Sequence, residues 1–147
     1  MADSVSFKVV GKDKLATVFK SLALKTDARV ASAINAGTML IHGDAFESIL
    51  KGPNSGIIYG KREHQSSAAG QAPANDTGTL SSGLQFQLKR SRKGFVTGII
   101  RSTAAYSAAL EFGTKHMEPR PFLRPAFDKN IGTINAMIAQ AIRDGAK

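Results

Sequence analysis

A chain of 147 residues with 42% hydrophobic and 21% charged residues suits one domain, long enough to bury a core of its own. It contains no Cys, which excludes disulfides and thiolate metal sites, and no run approaches the roughly 18 apolar residues of a membrane span. Its 20 Lys and Arg against 11 Asp and Glu give a net charge of +9, a balance that favours polyanions or an acidic protein neighbour. The opening MADSVSFKVV has no basic segment leading into an apolar run, so no signal peptide is expected.

Val5, Phe7 and Val9 alternate with Ser6 and Lys8, the period-two pattern of a half-buried strand, and Gly11 ends it. Asp13 is placed to cap a following helix with Leu15, Val18, Phe19 and Leu22 on one stripe. The phase falters at Lys25, Thr26 and Asp27, which predicts a kink or break there. A second run then places Val30, Ala33, Ile34, Gly37, Leu40, Ile41, Ala45, Ser48 and Ile49 on one side, its small residues allowing another backbone to approach. Helix is therefore expected from about Asp13 to Lys51.

Between Gly52 and Asp76 no period survives, and Gly52, Pro53, Gly56, Gly60, Gly70 and Pro73 punctuate the segment. A connection this long is a functional or mobile loop, and Ile57, Ile58 and Tyr59 suggest that part of it docks on something. Asp76 and Thr77 offer a cap to a short turn over Gly78 to Ser82. Leu84, Phe86 and Leu88 alternate with polar residues, Ser91 to Gly94 turn, and Phe95 to Arg101 return, which predicts a β-hairpin. Its tip carries Lys89, Arg90, Arg92 and Lys93 with no acid nearby, either a solvated turn that discourages edge pairing or a polyanion contact.

Ala104 to Phe112 reads as a short helix, and Gly113 as its left-handed stop. Pro119, Pro121 and Pro125 stiffen the connection to a last amphipathic helix. Along it Phe122, Leu123, Phe127, Ile131, Ile134, Ile138, Ala141 and Ile142 recur at threes and fours, until Gly145. Phe112, Phe122 and Phe127 are expected in the core. Glu111 lies late in its helix, against the dipole preference for cations there. An ion pair with Arg120 or Arg124 would explain it locally. A bridge to another subunit would explain it functionally, and Glu111→Ala is expected to leave the monomer's melting temperature nearly unchanged.

The fold class expected is α+β in one domain over 1–147 with a long loop at 52–76. A small antiparallel sheet, from the N-terminal strand and the hairpin, carries the long N-terminal helix and the C-terminal helix. No catalytic, metal or cofactor constellation is visible: Gly78 to Gly83 has GxxxxG spacing but Leu84 follows instead of Lys, and neither HExxH nor a nucleophile elbow occurs. His42, His64 and His116 fall in separate elements, His42 read as a surface residue and the other two in loops. A non-enzymatic protein without cofactor is expected.

Two blocks, SGIIYGKREHQSSAAGQAPANDTGTL over Ser55 to Leu80 and AYSAALEFGT…RPFLRPAFD over Ala105 to Asp128, carry a resemblance. In that order they resemble a neck, or tail-completion, head–tail joining protein family of long-tailed bacteriophages and their prophages. Ile57, Ala69 and Gln71 depart from its pattern. The resemblance implies a structural virion protein at the head–tail junction, assembled in the host cytoplasm into a homo-oligomeric ring, a hexamer or dodecamer, around the DNA channel. Implied partners are head-closure or connector proteins, tail-terminator or tail-tube proteins, and passing DNA, with no membrane. The motif positions taken as assembly candidates are Ile58, Tyr59, His64, Gly78, Leu80, Tyr106, Glu111, Phe112, Gly113, Thr114, Arg120, Pro121, Phe122 and Pro125. A tail-terminator ring and a basic, non-specific nucleic-acid-binding protein remain the alternatives.

Overall fold

The structure, a computed structural model, describes residues 12–59, 64–92 and 94–145. Among these residues eight elements follow one another: α1 (Lys12–Leu50), β1 (Ile58–Tyr59), β2 (His64–Gln65), α2 (Thr79–Ser82), β3 (Leu84–Arg90), β4 (Val96–Ser102), α3 (Ser107–Phe112) and α4 (Leu123–Gly145). The strand read at Val5, Phe7 and Val9 lies outside the described residues, as do the side chains of the Leu15 to Leu22 stripe. The α+β arrangement is otherwise the one expected, with a long helix, a two-stranded antiparallel sheet and a C-terminal helix packed together.

Helix α1 runs unbroken through Lys25, and Asp13 lies inside it rather than capping it. Thr26 and Asp27 cost a helix only about half a kcal/mol each, too little to end one that contains no Pro. The faltering phase has another origin in the second half of the helix, which is covered from two directions. The hairpin lies across it at Ile34 and Thr38, where a Cβ on Gly98 of β4 would run into the Thr38 hydroxyl. From another side comes α4, where a Cβ on Gly37 would stand 2.8 Å from Ile134 Cγ1. The small residues on α1 are thus the places where neighbours approach. Thr38 is buried, its hydroxyl donating back to the Ile34 carbonyl at 2.7 Å, whereas Leu40, expected inside, is exposed.

The pairs between α1 and α4 run in opposite directions along the chain. Asp44 meets Lys129 and Asn130, Gly37 meets Ile134, and Arg29 and Ser32 share a groove with Gln140 and Arg143. The helices are therefore antiparallel. Around their crossing gather Ile41, Ala45, Ile49, Leu80, Leu84, Ala104, Phe122, Ala126 and Ile134, with Ile100, Leu110, Leu123 and Ile138 against them. Strands β3 and β4 pair from Leu84↔Ser102 to Arg90↔Val96, and the turn closes through Ser91 and Gly94, the latter at φ 86°. His42 is not a surface residue. It is half-buried beneath this hairpin, its Nε2 3.1 Å from the Leu84 carbonyl and its ring against Phe46 and Phe86.

Among the described residues, a polar link ties the two long helices. Buried Asn130 donates to Asp44 Oδ2 at 2.5 Å and to the Ala126 carbonyl at 2.9 Å, while Lys129 Nζ lies 3.0 Å from the same carboxylate. The Asn130 hydrogen bond first, then Lys129, holds the Asp44 carboxyl below its ordinary range. A depressed folded value means that the contribution is complete above the unfolded value of about 3.9 and fades as pH falls through the folded one. Acid titration of stability should therefore show a loss below about pH 4 that is smaller in Asp44→Asn. Parallel acid curves for the two proteins would show that the link contributes nothing.

Candidate functional site

The second motif block folds into a clasp. Helix α3 is shorter than expected, Ser107–Phe112, because Ala105 and Tyr106 form a turn in front of it. Gly113 ends it at φ 76° and ψ 179°, not in the left-handed helical region but in the extended one that only Gly enters at low cost. Thr114 and Met117 then bond each other, the Thr114 N–H to the Met117 carbonyl at 2.7 Å and the Met117 N–H to the Thr114 carbonyl at 3.3 Å. The chain doubles back, and the Arg120 N–H reaches the Leu110 carbonyl at 2.6 Å.

That return delivers Glu111 to the start of α4. Its Oε2 accepts the N–H groups of Phe122 at 2.9 Å and Leu123 at 3.0 Å, and its Oε1 accepts that of Arg124 at 2.8 Å. A helix begins with four N–H groups lacking intrahelical partners. Three are taken by one carboxylate, and at the fourth position Pro125 has none to offer. The carboxylate also sits at the positive end of the helix dipole. Glu111 is thus the cap of α4, supplied from across the clasp. The expected ion pair with Arg120 or Arg124 does not form, since Arg124 reaches Asp128 at 3.9 Å instead. Removing Glu111 would leave three N–H groups without that partner, which argues against the expectation of a nearly unchanged monomer.

The first motif block is not the structureless loop its sequence suggests. The short ladder of β1 and β2 pairs Ile58 with Gln65 and Tyr59 with His64. Gly56 donates to the Ser66 carbonyl at 2.7 Å, and a Cβ at Gly56 would come within 2.5 Å of the Ser66 hydroxyl and the Ser67 carbonyl. Ser67 and Pro73 are buried, and Gln71 accepts from the Ser55 hydroxyl at 2.7 Å and the Ala68 N–H at 2.9 Å. The Gly70 N–H donates to the Pro119 carbonyl at 2.9 Å, so the two blocks are hydrogen-bonded to one another.

A cavity of about 320 Å³ opens where they meet. Its walls are His64, Ser66, Ser67 and Pro73 to Leu80 from the first block, and Tyr106, Leu110 and Arg120 from the second. Of the assembly candidates, His64, Gly78, Leu80, Tyr106 and Arg120 converge on this cavity, while Glu111, Phe122 and Pro125 meet at the α4 terminus. Gly78, at φ 74°, precedes α2 without any side-chain cap, so the capping role read for Asp76 and Thr77 is absent; Thr77 bonds the Thr79 hydroxyl instead. Pro121 lines a separate pocket with Phe122 and Pro125, Thr114 lies in the exposed turn, and Tyr59 lies in β1.

Three of the singled-out apolar residues face solvent. Phe112 is 80% exposed, and Ile58 and its neighbour Ile57 are more than half exposed. Only Phe122, at 1%, is the core aromatic expected, since Phe127 is 47% exposed. Helical spacing placed Phe122 and Phe127 on one stripe leading into α4, but only the Phe122 end of it is buried, and Phe112 ends a different helix, α3. At the hairpin tip Lys89, Arg90 and Arg92 are all exposed beside an exposed Phe95, and Lys93 lies outside the described residues. Among the described residues, no three His, Asp or Glu side chains gather as a metal site would need, and no helix is long and apolar enough to cross a membrane.

Sequence reasoning missed Ser67, Pro73, Asp44 and Asn130. Gly56 was the available signal for the first two, because a Gly without a turn pattern marks close backbone approach. Comparison of the chain with protein-family models, with curated proteins and with solved structures found no match.

Proposed function

We propose that this chain is a non-enzymatic component of a phage or prophage head–tail junction, a neck or tail-completion protein that forms a ring around the DNA channel. The observation that supports this most is the joining of the two resemblance-bearing blocks into one unit. They are far apart in sequence, yet they share the Gly70–Pro119 hydrogen bond and one cavity. Around that unit Ile57, Ile58 and Phe112 stand in solvent on different elements, as surfaces awaiting partners do. Unlike surfaces that meet head to tail close a ring when the rotation between copies closes. The ring would be a hexamer or dodecamer, held between head-closure or connector proteins and tail-terminator or tail-tube proteins.

The test is self-assembly. Wild-type protein should form a closed oligomer of defined mass in mass photometry, and Phe112→Asp should remain monomeric with its melting temperature within about 2 °C of wild type, as befits an exposed site. A wild type that stays monomeric at every concentration, or a variant that assembles normally, would count against the ring.

The exposed cluster of Lys89, Arg90 and Arg92 beside Phe95 favours a second reading, contact with nucleic acid. Three cations on one turn give non-specific duplex binding whose log–log salt slope is about −3. Sequence-dependent binding that persists at physiological salt would promote this reading above the ring.

A further inference from the structure

The cavity between the two motif blocks contains polar groups that the chain does not satisfy. Arg120 is half-buried in its wall, yet no carboxylate pairs with it among the described residues. Its Nη1 has only a 3.7 Å contact with the Met117 sulfur, and its Nε is buried without a partner. Ser67, 1% exposed and in the same wall, also has an unpartnered hydroxyl. The Ser66 hydroxyl is buried without a partner as well, and three such groups in one lining call for something that completes them.

We propose that this cavity is a receptor for a carboxylate, with Arg120 as its charge anchor and Ser67 as an added donor. The planar guanidinium fork matches a carboxylate in two parallel hydrogen bonds, a geometry that a lysine cannot supply. At about 320 Å³ the space admits a carboxylate and the carbons that carry it, and Leu80, Leu110 and Pro73 give those carbons an apolar wall. Asp76 is the one acid in the lining, and it lies 3.8 Å from His64 Nδ1. The carboxylate comes either from an acidic side chain of a second copy or from a free anion. The inference stands without the head–tail reading, because it rests on unsatisfied groups and not on the resemblance.

Succinate is the probe, titrated calorimetrically against sodium chloride of equal ionic strength, with sedimentation velocity run in parallel. A free-anion site gives saturable succinate binding to the monomer. A site for a second copy gives self-association that succinate reverses. In either case Arg120→Lys should weaken the process about tenfold, the loss of one charge-assisted hydrogen bond. Ser67→Ala guards against a misfolded Arg120 variant. It removes a hydroxyl that has no partner, so it should raise the melting temperature while weakening binding about threefold or more. The proposal is overturned if wild type neither binds succinate beyond the chloride control nor shows succinate-sensitive association. It is overturned equally if both variants bind as wild type does.

Discussion

Gly113→Ala should be among the most damaging single-methyl changes in this protein. The residue sits at φ 76° and ψ 179°, a region that costs a residue with a Cβ about 1–3 kcal/mol in strain alone. A Cβ there would also stand 2.9 Å from the Met117 carbonyl oxygen and 3.0 Å from the Pro119 ring. Backbone and a fixed ring cannot step aside as a side-chain end does, and overpacking of this kind adds about 1–3 kcal/mol. The sum, about 2–6 kcal/mol, corresponds to a fall of roughly 5–20 °C in melting temperature for a domain of this size. Gly113→Val should not fold at all. A variant melting within about 2 °C of wild type would show that the clasp has another shape.

Glu111→Ala should follow closely. One carboxylate serves three N–H groups at 2.8–3.0 Å, and among the described residues no other side chain bonds them. Hydrogen bonds to a charged group contribute about 1.5–3 kcal/mol, but three that share one acceptor at a partly wet helix end do not add in full. A loss of about 2–3 kcal/mol is therefore expected, a drop of roughly 4–12 °C in melting temperature. Glu111→Gln should fall between, since it keeps acceptor oxygen but loses the charge that favours the dipole. The control is Glu118→Ala, an exposed acid on the same connection, which should change nothing measurable. If Glu111→Ala melts with wild type, its role lies between subunits after all.

These two residues mark how far the sequence could be read. Gly113 was visible because a lone Gly after a helical run requires positive φ, whichever region it then occupies. The hairpin was visible almost to the residue, since Leu84, Phe86 and Leu88 alternate with Gln85, Gln87 and Lys89, although of the three apolar residues only Leu84 is buried. Glu111 was visible only as an anomaly, an acid at the wrong end of a helix. Its partners lie 11 to 13 positions away through a doubled-back connection, and no local spacing rule reaches that far. The first motif block was opaque for a different reason. Its order comes from backbone groups meeting at Gly56 and Gly70, which leaves no apolar period to detect. Phe127 shows the limit of periodicity itself. It assigns a stripe, but the number of layers in the fold decides how much of that stripe is covered.

The proposed head–tail role is tested most directly by deleting the gene for this chain from the genome that carries it and imaging the particles released on induction by electron microscopy. The account predicts filled heads lying beside complete, unattached tails, and virions restored when the wild-type chain is supplied in trans. Intact, infectious virions from the deletion would contradict it.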